Sequence, residues 1–167
     1  MYHIEPTFYN SFDSSTNMIN MIKSDKYSDT LFIFNDNIYQ YGADNFISGG
    51  GNACLRPYKI NSTFSIPDNY KRSWGIPTGP NFNELTDEIK EIIDYAINDI
   101  KDILKSGKFT RVIYSGETKD NQPNGIPSGR KTHNNHDFIG TSIFICDDDV
   151  KEYIVDSMYN LIDNLNK

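Results

Sequence analysis

One helical stripe constrains this chain more than any other feature. Ile89, Ile92, Ile93, Ala96, Ile97, Ile100 and Leu104 recur at spacings of three and four, which places them on a single face of an α-helix. The pattern starts near residues 83–86 and stops at Gly107, a residue suited to ending a helix. A helix with one broad apolar face needs a partner layer to cover it. Short apolar runs on both sides supply one: residues 74–78 (WGIPT), which run into a turn at Gly79-Pro80, and residues 110–114 (TRVIY), which end in Ser115-Gly116.

The rest of the chain repeats this alternation. Residues 30–35 (TLFIFN) form a continuous apolar run whose length and Phe/Ile content favour a buried strand. Residues 138–146 (FIGTSIFIC) contain a further expected strand. A final helix opens at the acidic cluster Asp147–Asp149, where the helix dipole favours negative charge. Its stripe is Val150, Tyr153, Ile154, Met158, Leu161, Ile162 and Leu165. Residues 1–29 read as an irregular N-terminal extension with a short helix at 17–22, and residues 53–73 carry no clear periodicity. The order of strands and helices predicts one α/β domain over residues 1–167, with a mostly parallel or mixed sheet.

Bulk properties narrow the function. The net charge of −7 argues against gripping an extended nucleic acid, which calls for a basic face. A single anionic small molecule could still be held by backbone N–H groups. No apolar run approaches the length of a membrane span, and the opening MYHIEPTFYNSFDSS has neither the basic start nor the apolar core of a leader. The two cysteines, Cys54 and Cys146, lack ligand-like spacing and read as reduced and structural. The expectation is a cytoplasmic protein with no cofactor.

Ligands of parallel sheets collect beyond the carboxyl ends of the strands. Three ends here carry suitable residues: Asn35-Asp36-Asn37, Thr78-Gly79 and Ser115-Gly116. The run Ser48-Gly49-Gly50-Gly51-Asn52 adds a fourth segment, whose glycines would let backbone N–H groups approach a phosphate or ribose. A surface turn explains that run equally well, and no Gly-Lys-Ser/Thr of a P-loop follows it. Asp36 could orient water or accept from a ribose hydroxyl, or it could close an Asx-rich turn. Arg56 could meet a phosphate or form a salt bridge at the loop edge. Tyr39, Tyr41 and Trp74 could stack on a base or fill the core.

The loop at 129–137 (GRKTHNNHD) holds His133, His136 and Asp137, a combination known from divalent-metal sites. No distant third ligand is evident, so a polar loop without metal is the favoured reading. Arg130 and Lys131 make it the most basic stretch of the chain and suggest a lid over an anion.

Taken in order, FIFNDN, SGGGNACLRP, WGIPTG, the amphipathic helix and RVIYSG resemble a macrodomain-type protein, in particular small macrodomain-type proteins of T4-like phages and bacteria. The likeness covers about residues 30–116, with the final strand and helix included. It implies a macrodomain-like three-layer domain that binds ADP-ribose or another NAD-derived nucleotide, with or without hydrolysing it. The implied ligand-binding residues are Asn35, Asn37, Gly49, Gly50, Gly51, Asn52, Thr78, Gly79, Ser115 and Gly116, with Asp36 as the candidate catalytic group. This sequence departs from the family pattern in three places. Phe34-Asn35-Asp36-Asn37 stands for Phe-Gly-x-Asn, Pro77-Thr78-Gly79 stands for Pro-Thr-Lys, and a long loop follows Ser115-Gly116. The alternative is a non-catalytic sponge for a signalling nucleotide, or a viral host-interaction or anti-defence protein.

Overall fold

Alternate residues of the central strands divide between two apolar clusters, and this division organises the whole molecule. Leu31, Ile33, Val112 and Tyr114 belong to one cluster, whereas Phe32, Phe34 and Ile113 belong to the other. A strand buried on both faces lies inside a covered sheet, which is why residues 30–35 read as a continuous apolar run. The computed structural model describes residues 1–9, 15, 17–43, 45–117, 129–140 and 146–167.

Four strands form one sheet: β1 (His3–Thr7), β2 (Thr30–Asn37), β3 (Ser73–Gly79) and β4 (Arg111–Ser115). Their spatial order is β1-β4-β2-β3, and all three pairings are parallel. The sequence left a parallel or mixed sheet open; the described strands are parallel throughout. The fold is therefore α/β, compatible with a single three-layer domain.

Helices α3 (Asp87–Lys105) and α4 (Asp148–Leu165) cover one face with Ile93, Ile100, Leu104, Val150, Ile154 and Met158. Each such side chain contributes roughly 1.5–3 kcal/mol by leaving water. Helix α1 (Met18–Ile22) and the 3-10 helix Gly51–Tyr58 cover the other face with Met18, Met21, Ile22, Ala53 and Leu55.

Local chemistry sets the helix ends. Thr86 caps α3 by accepting from Ile89 N–H at 3.2 Å, and Asp87 and Glu88 follow in the first turn. Gly107 takes φ +86° just beyond the helix, a left-handed conformation that favours glycine. Asp147 caps α4 by accepting from Asp149 N–H at 2.9 Å.

The reading of residues 1–29 as an irregular extension is corrected. His3–Thr7 pairs residue for residue with Arg111–Ser115 as an edge strand, and α1 follows with Asn17 as its cap. The alternation in HIEPT is too short and too polar to announce a strand, because an edge strand buries little of either face. The expected strand at 138–146 lies partly outside the described residues. Its described parts contribute two isolated bridges, Gly116 to Ile139 and Phe82 to Cys146. None of the described helices is long and apolar enough to cross a membrane.

Candidate functional site

The parallel sheet brings the carboxyl ends of β2, β3 and β4 to one edge, with β2 in the middle. The ladder between β2 and β4 stops at Ile33 and Tyr114, before Asn35 and Ser115. From β2 the chain passes first through residues 38–41, whose Ile38 and Tyr41 pack with the α3 cluster, and then to the 3-10 helix Gly51–Tyr58 on the other face. In open α/β sheets ligands customarily lie in a crevice outside the carboxyl ends of the strands.

Asn52 ties the glycine run to this edge. Its Oδ1 accepts from Asn35 N–H at 2.8 Å, and its Nδ2 donates to Asn35 Oδ1 at 2.9 Å. Both residues are buried, and Asn35 Nδ2 has no hydrogen-bond partner among the described residues. Gly51 takes φ +56°, which lets the chain turn into the 3-10 helix. Gly49 is required by close approach: a Cβ there would stand 2.8 Å from Ala53 Cβ and 3.0 Å from Arg56 Nη1. Gly50 is exposed and precedes the turn.

Asp36 is fully buried and does not stand open to water. Arg56 meets its Oδ1 from Nε at 2.9 Å and Nη2 at 2.8 Å, while Arg56 Nη1 donates to Ile47 O at 3.0 Å. Burial pushes the Asp36 carboxyl up, against the lowering pull of Arg56. The arrangement anchors the 3-10 helix on the sheet. Of the two roles open to Arg56, a phosphate contact or a salt bridge, the salt bridge is the one seen, and its partner is Asp36.

The other expected residues divide in the same way. Asn37 caps the short helix α2 (Ile38–Tyr41) by accepting from Tyr39 N–H at 2.8 Å. Thr78 is buried, and its hydroxyl donates to Asp36 O at 3.4 Å; Gly79 beside it is buried and joined to Pro80 by a cis peptide. Ser115 and Gly116 lie at the end of β4, where Gly116 N–H donates to Thr7 O at 2.7 Å and Gly140 N–H donates to Ser115 O at 2.9 Å. The backbone at 138–140 thus runs beside the β4 end.

Two buried charged residues escaped the sequence reading. Glu117 follows Gly116, is buried, and has no hydrogen bond to either carboxylate oxygen among the described residues. Arg130 Nη1 stands 3.1 Å away as an ion pair without hydrogen-bond geometry. Burial raises the Glu117 carboxyl above its ordinary value. Lys59 is the second, 1% exposed, with its Nζ 4.4 Å from the Trp74 ring centroid, 4.8 Å from Phe46 and 5.6 Å from Tyr41. Burial lowers its pKa. Nothing in the segment RPYKIN marks that lysine as buried. Glu117 carried a signal, its place directly after a glycine at a strand end.

Trp74 and Tyr41 form part of this packing: Trp74 Nε1 donates to Tyr41 Oη at 3.1 Å, and Tyr41 Oη donates to Asp99 at 2.5 Å. Tyr39 is exposed. The basic loop is docked on α4. Arg130 also pairs with Asp148 at 2.7 Å, and Lys131 pairs with Asp137. His133 Nδ1 lies 2.6 Å from Glu152; His136 Nδ1 lies 3.1 Å from Asp156, with its ring stacked on Tyr159 at 3.6 Å. The two imidazoles face different carboxylates, and among the described residues no group of three or more His, Cys, Asp or Glu is gathered as for a metal. Cys54 and Cys146 are free thiols, and burial pushes Cys146 up to about 12, away from thiolate chemistry. No family model, curated protein or solved structure matches this chain.

Proposed function

We propose that the crevice at the carboxyl ends of β2 and β4 binds ADP-ribose or another NAD-derived nucleotide. The observation that carries this reading is Asn35: a buried amide at the end of β2 whose Nδ2 donor has no partner among the described residues. A buried donor left unpaired costs about 1–3 kcal/mol, and a ligand oxygen would recover that cost. Gly50 and Gly51 beside it, Gly50 exposed, offer backbone N–H groups to a phosphate without a basic cluster, whereas Gly49 N–H already donates to Ala53 O at 3.3 Å. Such donors suit a protein whose net charge is −7.

Binding without turnover is the version favoured here, as in a nucleotide sponge or a viral host-interaction protein. The specific reason is Asp36, whose carboxylate is engaged by Arg56 and shielded from water. On this reading the protein works in the cytoplasm, where NAD-derived nucleotides are found and both thiols stay reduced.

Calorimetric titration with ADP-ribose and with NAD tests the proposal. Saturable binding of either nucleotide is expected, weakened about tenfold in Asn35→Ala, the equivalent of one lost hydrogen bond. Chromatography of the incubated nucleotide should recover it intact. Absence of binding by both nucleotides would remove the reading, and turnover would transfer it to a hydrolase.

A further inference from the structure

The amino ends of the same strands enclose a second feature, remote from the crevice. A cavity of about 750 Å³ lies among the segments that precede β2, β3 and β4, a volume ordinary for small-molecule sites. Ile60, Ile103 and Phe109 give it an apolar wall, and Tyr70 adds an aromatic ring. Ser24, Ser28 and Ser106 bring hydroxyls to the lining.

Its charge is opposite to that of the protein. Lys71, Arg72 and Lys108 line it against two acids, Asp25 and Asp68, in a chain of net charge −7. Lys71 is neutralised by Asp68 at 3.2 Å. The Arg72 guanidinium is sunk among backbone carbonyls, those of Ile22, Tyr27, Thr30 and Asn69, with no carboxylate in contact. Lys108 is exposed and makes no ion pair among the described residues. An uncommitted ammonium therefore stands at the rim of a partly apolar cavity.

Arg72 also makes the cavity a preformed one. By bonding to carbonyls in α1, in the 25–30 segment and in residues 68–70, it joins three wall segments through one buried side chain. Little ordering is left to be done on binding, and that favours affinity for a small ligand.

We propose that this amino-edge cavity binds a small amphipathic anion, with one anionic head group beside Lys108 and an aromatic or aliphatic body against Ile60, Ile103 and Phe109. The anionic head, whether sulfonate, carboxylate or phosphate ester, meets the free ammonium, and the body displaces water from the apolar wall. The site is independent of the nucleotide crevice, since it lies at the opposite ends of the strands.

The test uses 8-anilinonaphthalene-1-sulfonate with the full chain, followed by fluorescence. Its uncharged analogue, N-phenyl-1-naphthylamine, serves as the control. Saturable binding of one sulfonate per chain is expected. Lys108→Glu, on the exposed rim, should weaken the sulfonate about tenfold while shifting the uncharged analogue less than about twofold. Ser106→Trp should crowd the mouth and weaken both. No saturable binding, an unchanged sulfonate affinity in Lys108→Glu, or equal losses of the two probes in that variant would overturn the proposal.

Discussion

Arg56 grips Asp36 through a single carboxylate oxygen: Nε and Nη2 both reach Oδ1, at 2.9 and 2.8 Å, and Oδ2, against Gly75, has no hydrogen-bond partner among the described residues. Both side chains are at least 96% out of water. The pair fastens the glycine-bearing turn to the sheet, so its first consequence is for stability.

Removing one partner of such a pair strands the other charge. Asp36→Ala should therefore destabilise the protein by about 3–5 kcal/mol, read as a lower urea midpoint. A variant with an unchanged midpoint would show that Arg56 finds another route to solvent or to a carbonyl.

Gly75 is the other wall of the same contact. An added Cβ would sit 2.5 Å from Asp36 Oδ2 and 2.7 Å from its Cβ, too close for either to remain in place. Gly75→Ala should cost about 1–3 kcal/mol by overpacking. The cost should shrink when Asp36→Ala is already present, because the clashing atoms are then fewer; a double-mutant cycle measures that coupling. Additive losses would mean that the strain is taken up elsewhere in β3.

Glu117 gives a pH signature. Burial raises its carboxyl in the folded state above the ordinary 4.5, so the folded protein binds the proton more readily than the unfolded chain does. The associated stability is present below 4.5 and lost as pH rises through the raised value. Glu117→Gln should accordingly melt at a higher temperature than the parent at neutral pH. The gain should narrow as pH falls towards 4.5. A gain constant over that range, or no gain, would show that Arg130 fully compensates the carboxylate.

The regular elements were legible where burial is one-sided or complete. The Ile stripe of α3 and the run TLFIFN in β2 advertise their surroundings, since each residue repeats the same message of exclusion from water. Capping residues were legible too, because Asp147 and Gly107 act on their own neighbours. Contacts between distant segments were not. The partnership of Asn35 with Asn52 spans 17 residues, and that of Asp36 with Arg56 spans 20. Neither pair has a local pattern to reveal it.

The site shows the same division. Parallel strands require Asn35, Thr78 and Ser115 to share an edge, and this much follows from the order of elements. Whether each residue faces solvent depends on what the 3-10 helix and residues 138–140 lay over it. Lys59 is the extreme case, a lysine enclosed by three aromatic rings from residues 41, 46 and 74.

The place of β1 governs the order in which the chain can be assembled. His3–Thr7 is made first, yet its only strand neighbour in the described sheet is Arg111–Ser115, more than a hundred residues later. On the ribosome the first strand must wait, its backbone groups hydrated, until β2, β3 and α3 have emerged and β4 is in place. Contacts so far apart in sequence are the slow ones to close. The first strand in chain order is thus the last piece of the sheet to be fitted, and an interruption of synthesis before β4 leaves it with nothing to join.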